Sequence, residues 1–208
     1  MNMQIKGLYA IIDNLLRPSV SDTEIAEKIL AGGAKILQLR GKGLSSKELL
    51  RQAREIRVLA RKAGALFIVN DRADIALLSD ADGVHLGQDD LPIAEARKIL
   101  GKDRVIGIST HNIEQAIKAE YEGADYIGFG PIFETKTKAD AEEAKGLQAL
   151  REVKKSVNIP VVAIGGIILE NVVDVISAGP DAVAVISAIV KADDIEETTR
   201  RFLEAFKI

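Results

Sequence analysis

The sequence predicts a single (β/α)8 barrel, the α/β fold also called a TIM barrel, over residues 1–208. Three observations predict it: eight short apolar segments, amphipathic segments between them, and a chain of 208 residues, which lies near the lower end of the size range of such barrels. We expect one domain because no linker, low-complexity tract or change of composition divides the chain.

The predicted strands are short runs rich in apolar and β-branched residues. They lack a strict alternation with polar residues, which is typical of strands buried on both faces in a parallel sheet covered by helices. In chain order they are Leu8–Ile12, Ile36–Arg40, Leu66–Asn70, Val84–Gly87, Val105–Ser109, Tyr126–Gly130, Val161–Ile164 and Ala182–Ser187.

Helices are predicted between the strands, where apolar residues recur at helical spacing. These segments include Lys47–Lys62, Pro92–Leu100, Ile113–Glu122, Leu147–Val157, Leu169–Ser177 and Ile195–Phe206. A weak repeat leads into every second strand, as Gly33-Ala-Lys-Ile-Leu, Ala81-Asp-Gly-Val-His, Gly123-Ala-Asp-Tyr-Ile and Gly179-Pro-Asp-Ala-Val. An open doubly wound sheet more often carries a glycine-rich fingerprint after its first strand, and none follows Ile12, so the closed barrel is favoured.

The composition excludes several kinds of partner and site. Lys and Arg total 28 against 31 Asp and Glu, a formal net charge of −3, so we expect no nucleic-acid partner. The chain contains no Cys, which excludes disulfides, zinc-thiolate sites and thiol nucleophiles. No apolar run approaches the roughly 20 residues of a membrane helix, and no signal peptide is recognisable, so a cytoplasmic location without membrane contact is expected. The sequence leaves the oligomeric state open, a homo-oligomer included.

Polar side chains close neighbouring predicted strands, at the barrel end where active sites form. Asp71 and Asp90 follow strands three and four, which lie about 4.8 Å apart, so both carboxylates are predicted to approach one cation. Magnesium takes one or two carboxylates with water and phosphate oxygens, and Arg40 and Lys42 after strand two would accompany a diphosphate. The alternative is that Asp71 and Asp90 cap the helices that follow, with Pro92 in a first turn.

Two further loops carry candidate substrate contacts. The loop after strand six, with Thr135, Thr137 and Lys138, is longer than ordinary barrel connections, and we interpret it as a lid over an anionic substrate; the alternative is a solvated surface loop. Gly165-Gly166 and Ile186-Ser187 follow strands seven and eight, where barrels often bind phosphate. The glycine pair would equally suit a tight strand-to-helix turn.

The two histidines do not support zinc chemistry. His85 lies within an apolar strand and is predicted to be a hydrogen-bonded interior residue, while His111 lies nearer the rim. Two His without Cys make a His-rich zinc site improbable, and no Gly-x-Ser-x-Gly elbow or Walker loop is present.

Segments at the strand ends resemble, in order and over nearly the whole chain, those of the thiamine-phosphate synthase family, also called thiamine-phosphate pyrophosphorylases. The matching segments are Leu8-Tyr-Ala-Ile, Gln38-Leu-Arg-Gly-Lys42, Phe67-Ile-Val-Asn-Asp71, Gly83-Val-His-Leu-Gly-Gln-Asp-Asp90, Gly107-Ile-Ser109, Gly128-Phe-Gly-Pro-Ile-Phe, Thr135-Lys-Thr-Lys138 and Ala163-Ile-Gly-Gly166. The resemblance implies a (β/α)8 enzyme that joins hydroxymethylpyrimidine diphosphate to a thiazole phosphate, giving thiamine phosphate and diphosphate with Mg²⁺ as cofactor.

The resemblance also implies roles for individual residues. Asp71 and Asp90 would bind Mg²⁺, and Arg40, Ser109 and Lys138 would act in catalysis. The pyrimidine diphosphate would be held by Gln38, Arg40, Lys42, Asn70, Ser109 and Lys138, and the thiazole phosphate by Thr135, Thr137, Gly166, Ile186 and Ser187.

The reaction that the resemblance implies is dissociative: diphosphate leaves first, and the thiazole nitrogen adds to a pyrimidine-stabilised methylene cation. Such a reaction needs charge neutralisation and exclusion of water but no enzyme nucleophile. The sequence departs from the family at Gly41, where an acidic residue is more common, and at Lys136. Two alternatives remain: a related thiazole tautomerase, whose presumed proton-transfer histidine would correspond to His111, and a barrel that binds phosphorylated metabolites without catalysis.

Overall fold

Eight parallel strands close into a barrel in which each strand pairs with its neighbours in sequence and the last pairs with the first. The computed structural model describes residues 4–135 and 143–207. The strands are β1 Gly7–Asp13, β2 Ile36–Arg40, β3 Leu66–Asn70, β4 Gly83–Leu86, β5 Val105–Thr110, β6 Tyr126–Phe129, β7 Val161–Ile164 and β8 Ala182–Val185. The strand order confirms the (β/α)8 barrel predicted from the sequence.

Helices follow the strands and cover the outside of the barrel. They are α1 Asp22–Ala31, α2 Ser46–Ala63, α3 Ala73–Leu78, α4 Ile93–Leu100, α5 Ile113–Tyr121, α6 Gly146–Ser156, α7 Val172–Ser177, α8 Ser187–Val190 and α9 Ile195–Glu204, with a 3-10 turn at Ala205–Lys207. Several begin at a side chain that accepts a backbone N–H of the first turn, as Ser21 does for α1 and Ser45 for α2. Within the described ranges no helix combines the length and apolarity that crossing a membrane requires.

Three predicted strands were too long at their carboxyl ends. Strand β4 ends before Gly87 and β6 before Gly130. Strand β8 ends at Val185 because Ile186 leaves the extended conformation, with φ −116° and ψ −85°, and Ser187 already begins α8. Of the predicted pair, Ile186 therefore lies in the turn after the strand and Ser187 is the first residue of α8.

Alternation along the strands separates two sets of buried side chains. The larger set packs between the sheet and the helices, for example Leu39, Phe67 and Phe129. The smaller set, with Tyr9 and Tyr126, fills the inside of the barrel. Polar residues that share this inward alternation come at the carboxyl ends of the strands, which places them together at one end of the barrel.

The opposite end of the barrel is fastened by the aspartates of the sequence repeat. Asp82, Asp125 and Asp181 each stand just before an even-numbered strand, and each accepts a backbone N–H from the preceding strand, at distances of 2.7–2.8 Å. Each carboxylate also binds a cationic side chain of a helix, for example Arg97 for Asp125. The repeat therefore joins strands in pairs and ties each pair to the outer layer.

Candidate active site

One cavity of about 550 Å³ opens at the carboxyl end of the strands, within the range of volumes of ligand pockets in proteins. It is lined by every predicted site residue that the structure describes, from seven strands and their loops. These are Gln38, Arg40, Lys42, Asn70, Asp71, Asp90, Ser109, Thr135, Gly166, Ile186 and Ser187. The predicted residues Thr137 and Lys138, and Lys136 between Thr135 and Thr137, lie outside the described residues, as does the rest of the middle of the predicted lid.

Asp71 and Asp90 face one another across the ends of β3 and β4. The backbone of Asp71 adopts the left-handed conformation, φ 64°, which is uncommon outside glycine and aims its carboxylate at the cavity rim. The Asp90 carboxylate accepts a hydrogen bond of 2.7 Å from the backbone N–H of Gly87. Burial, and then the neighbouring Asp71 carboxylate, raise the pKa of Asp90, so the two acids are close enough to repel one another.

Neither aspartate caps a helix, so the alternative interpretation is wrong. The N-cap of helix α3 is Arg72 and that of α4 is Pro92, and neither helix has a side-chain hydrogen bond at its N-terminal cap. Asp71 is instead paired with Lys42, whose Nζ lies 2.6 Å from Asp71 Oδ2.

The donor set at this rim fits magnesium better than a transition metal. Two adjacent carboxylates offer oxygen ligands, and Mg²⁺ completes its octahedral shell with water and phosphate oxygens. In the described part of the chain no cluster of three or more His, Cys, Asp or Glu side chains has the arrangement of a metal site. These residues therefore do not form a metal site made of protein ligands alone. A site that shares its ion with a phosphorylated substrate needs only one or two carboxylates from the protein.

Arg40 is held at the rim by an acid that the sequence analysis missed. Its guanidinium pairs with Asp13 at the end of β1, and the Asp13 side chain is 1% exposed while that of Arg40 is 12% exposed. Asp13 Oδ1 also accepts the backbone N–H of Leu15 at 3.1 Å. The guanidinium of Arg40 is therefore oriented before an anion binds. The sequence signal that could have identified Asp13 was its position at the inward-facing end of a strand.

A hydrogen-bonded chain of side chains forms the floor of the cavity. Gln38 Nε2 lies 2.7 Å from the Tyr9 hydroxyl, which lies 2.9 Å from the Tyr126 hydroxyl. His85 continues the chain, with Nδ1 2.9 Å from the Tyr126 hydroxyl and Nε2 3.0 Å from Ser109 Oγ. The prediction that His85 is hydrogen-bonded inside the barrel is confirmed, and Tyr9 and Tyr126 are cavity residues that the sequence analysis did not select.

The glycine pair after β7 makes the tight turn that was considered as the alternative. Gly165 and Gly166 have φ of 102° and 66°, and a Cβ on Gly166 would lie 2.7 Å from that of Phe133. Both glycines also line the cavity, at the end where Thr135 and Ser187 lie. The turn brings backbone, with no side chain in between, to that wall of the cavity.

His111 lies on the rim as predicted. Its Nδ1 lies 2.7 Å from the carbonyl oxygen of Gly130. A carbonyl only accepts, so Nδ1 carries the proton in this contact. The ring lines the same cavity as the aspartate pair.

The family model for thiamine monophosphate synthase matches residues 8–189, almost the entire barrel. The chain belongs to the thiamine monophosphate synthase family. Curated relatives agree with this assignment. The chain is 50% identical over 198 residues to the thiamine-phosphate synthase of Methanospirillum hungatei, covering 95% of this chain and 96% of the relative. It is 49% identical over 200 residues to that of Shouchella clausii, covering 96% of each.

A solved structure of a family member has the same fold. The thiamine phosphate pyrophosphorylase of Pyrococcus furiosus superposes with a TM-score of 0.90 at 40% identity, covering 97% of this chain and 95% of that one. Family membership and these relatives support thiamine-phosphate synthase activity, which is a transferase reaction.

Proposed function

We propose that this synthase couples 4-amino-2-methyl-5-(diphosphooxymethyl)pyrimidine to 4-methyl-5-(2-phosphooxyethyl)thiazole in a Mg²⁺-dependent reaction at the cavity described above. The observation that carries the proposal is the adjacency of Asp71 and Asp90 beside Arg40 and Lys42 in one cavity of a family member. Carboxylates beside cations are what a metal-bound diphosphate requires, since the ion needs oxygen ligands and the remaining phosphate charge needs positive partners.

Asp71 and Asp90 are the residues that would hold the ion, and its contribution when bound would be to neutralise charge on the leaving diphosphate. Lys42 is paired with Asp71 in this structure and its side chain is 50% exposed, so it is free to exchange that carboxylate for a phosphate oxygen. Arg40 is oriented by Asp13 and presents its remaining N–H groups to the same region. These side chains would bind the diphosphate both before and after its bond to the pyrimidine methylene breaks.

The floor and the opposite wall of the cavity would hold the two organic groups. Gln38, Asn70 and Ser109 are assigned to the pyrimidine diphosphate, because they lie on strands β2, β3 and β5 around the buried floor. The thiazole phosphate is assigned to the wall formed by Thr135, Gly166, Ile186 and Ser187. Thr137 and Lys138 remain predicted contacts, Lys138 with the diphosphate.

No enzyme nucleophile is needed for this proposal. Departure of diphosphate leaves a methylene cation on the pyrimidine, and the thiazole nitrogen supplies the electron pair of the new C–N bond. The residues of the cavity would then act by holding the two substrates in line and keeping water out. The same rim could bind a thiazole phosphate alone, as a tautomerase would, but that reaction would not use the aspartate pair.

A product assay tests the proposal. Purified chain is mixed with both substrates and Mg²⁺, and thiamine phosphate and diphosphate are quantified by chromatography. We expect both products in equal amounts and none after chelation with EDTA. Isomerisation of the thiazole phosphate without coupling would indicate a tautomerase, and binding of both substrates by calorimetry without turnover would indicate a non-catalytic barrel. Either result would overturn the proposal.

A further inference from the structure

The hydrogen-bonded chain on the cavity floor links more side chains than the proposed substrate contacts use. Its members come from five different strands. His85 and Tyr126 are both register partners of Gly107, on the two strands that flank β5. Only its two ends, Gln38 and Ser109, carry roles in the proposed reaction. The middle of the chain, Tyr9, Tyr126 and His85, is therefore available for another role.

Glycines on the neighbouring strands leave space for two rings of the hydrogen-bonded chain. A Cβ on Gly107 would lie 2.1 Å from Cζ of Tyr126, and a Cβ on Gly128 would lie 3.1 Å from Cε1 of His85. Any larger residue at Gly107 would displace the phenol ring. The two rings are also in contact with one another, with centroids 5.4 Å apart. Backbone at Gly107 and Gly128 thus packs directly against the Tyr126 and His85 rings.

Both phenols keep their protons. Tyr9 is 1% exposed and Tyr126 is fully buried, and burial raises the pKa of each hydroxyl above its ordinary value. A neutral phenol has one proton and can donate one hydrogen bond. Each hydroxyl in the chain therefore donates in only one direction.

The direction in which the hydrogen bonds are donated is set at the Gln38 end of the hydrogen-bonded chain. Gln38 Nε2 donates to the Tyr9 oxygen, so the Tyr9 proton is left for Tyr126. The Tyr126 proton then goes to Nδ1 of His85, which must accept. A neutral imidazole that accepts at Nδ1 carries its proton on Nε2, and this N–H donates to Ser109 Oγ. The Ser109 hydroxyl receives a hydrogen bond and does not spend its own proton within the chain.

We propose that Gln38, Tyr9, Tyr126, His85 and Ser109 form a one-way hydrogen-bond relay that holds His85 as the Nε2–H tautomer and turns the Ser109 hydroxyl proton into the cavity as a donor. His85 and Tyr126 are then positioning residues that act through Ser109. The identity of the acceptor, an atom of the pyrimidine diphosphate, rests on the proposed function. The tautomer of His85 does not.

The tautomer is measured by long-range ¹H–¹⁵N correlation spectra of the chain labelled with ¹⁵N-histidine. The sequence has two histidines, so the spectrum is simple, and loss of signals in His85→Gln identifies those of His85. We expect the Nε2–H tautomer near pH 7.5 and a mixture of tautomers in Tyr126→Phe. An Nδ1–H tautomer or a doubly protonated ring in the unaltered chain would overturn the relay, whether or not the protein is active.

Two tyrosine substitutions give a matched kinetic test, because Tyr126 is buried in the hydrogen-bonded chain and Tyr121 is 90% exposed. In Tyr126→Phe we expect kcat/KM for the pyrimidine diphosphate to fall about tenfold, the effect of one hydrogen bond. KM for the thiazole phosphate should stay within about twofold, since the cavity wall assigned to that substrate is not part of the hydrogen-bonded chain. Tyr121→Phe should change neither constant.

A double-substitution cycle separates positioning from a merely structural role. If Tyr126 acts through Ser109, the double variant Tyr126→Phe with Ser109→Ala should be no slower than Ser109→Ala alone. Multiplying losses would overturn the proposal, as would unchanged kinetics in Tyr126→Phe. Thermal unfolding verifies that each variant folds, and if Tyr126→Phe does not, the spectrum of the unaltered chain still decides. Absence of turnover in the unaltered chain would count against the proposed function and leave the tautomer measurement valid.

Discussion

At the scale of single residues, the sequence was informative where a polar side chain ends a strand. Gln38, Asn70 and Asp71 were selected on that ground, and all line the cavity. Asp13 ends a strand too, and this position was a signal that could have selected it. Its contact with Arg40, however, depends on the pairing of β1 with β2, which no local sequence pattern shows. Tyr9 and Tyr126 lie within apolar strands, where a tyrosine is indistinguishable from ordinary core until the strand register is known.

A buried acid on α1 gives a prediction on stability. Asp22 is 3% exposed and its Oδ2 has no hydrogen-bond donor among the described residues. Burial, with the charges of Asp13 and Glu48, raises its pKa to about 6, against about 3.9 in an unfolded chain. The folded state therefore binds this proton more tightly, and stability should fall as pH rises from about 4 to about 6.

Asp22→Asn removes the buried charge. It should unfold at higher urea concentration than the unaltered chain at pH 8, with a gain of about 1–2 kcal/mol after allowance for solvent screening, and the gain should vanish near pH 4. Asp193→Asn, at an exposed position, is the control and should differ little at either pH. An equal effect of Asp22→Asn at both pH values would contradict the assignment of a charge penalty to Asp22.

At the scale of elements, strand positions were predicted better than helix limits. Each strand is a continuous apolar run, and the predicted β2, β3 and β7 have the observed bounds. Helix α7 begins at Val172, three residues later than predicted, because Ile168 to Asn171 form a turn closed by the Asn171 side chain. Helix α3 has six residues, too few to show a helical period, and was not among the predicted segments.

The aspartate repeat predicts which surface acids stabilise the barrel. Asp125 accepts the N–H of Ile106 at 2.7 Å and binds Arg97 at 2.6 Å. Asp125→Ala leaves a buried strand N–H without its acceptor, so we expect a loss of about 1–2 kcal/mol in urea unfolding. Asp103→Ala, at an exposed position of the same end, should change stability by less than about 0.5 kcal/mol. Equal effects of the two substitutions would show that the repeat has no role in stability.

At the scale of the whole molecule, the alternation of strand and helix predicted the topology, because eight parallel strands with covering helices close in one way. The closure then brings together residues that are far apart in sequence, and this explains why candidates from seven strand ends share one cavity. The sequence could not give the rotation of side chains within that cavity. The pairing of Lys42 with Asp71 and the chain through Tyr9 and His85 both depend on it.

The proposed function depends on Asp71 and Asp90 together holding one divalent ion for the coupling reaction. The most direct measurement is the Mg²⁺ dependence of the initial rate for the unaltered chain, Asp71→Asn, Asp90→Asn and the exposed neighbour Asp89→Asn. We predict that each substitution in the pair raises the Mg²⁺ concentration for half-maximal rate by roughly tenfold or more, or abolishes the rate. Asp89→Asn should retain the original dependence. Unchanged Mg²⁺ dependence in both pair variants, or a full rate in EDTA, would contradict the claim.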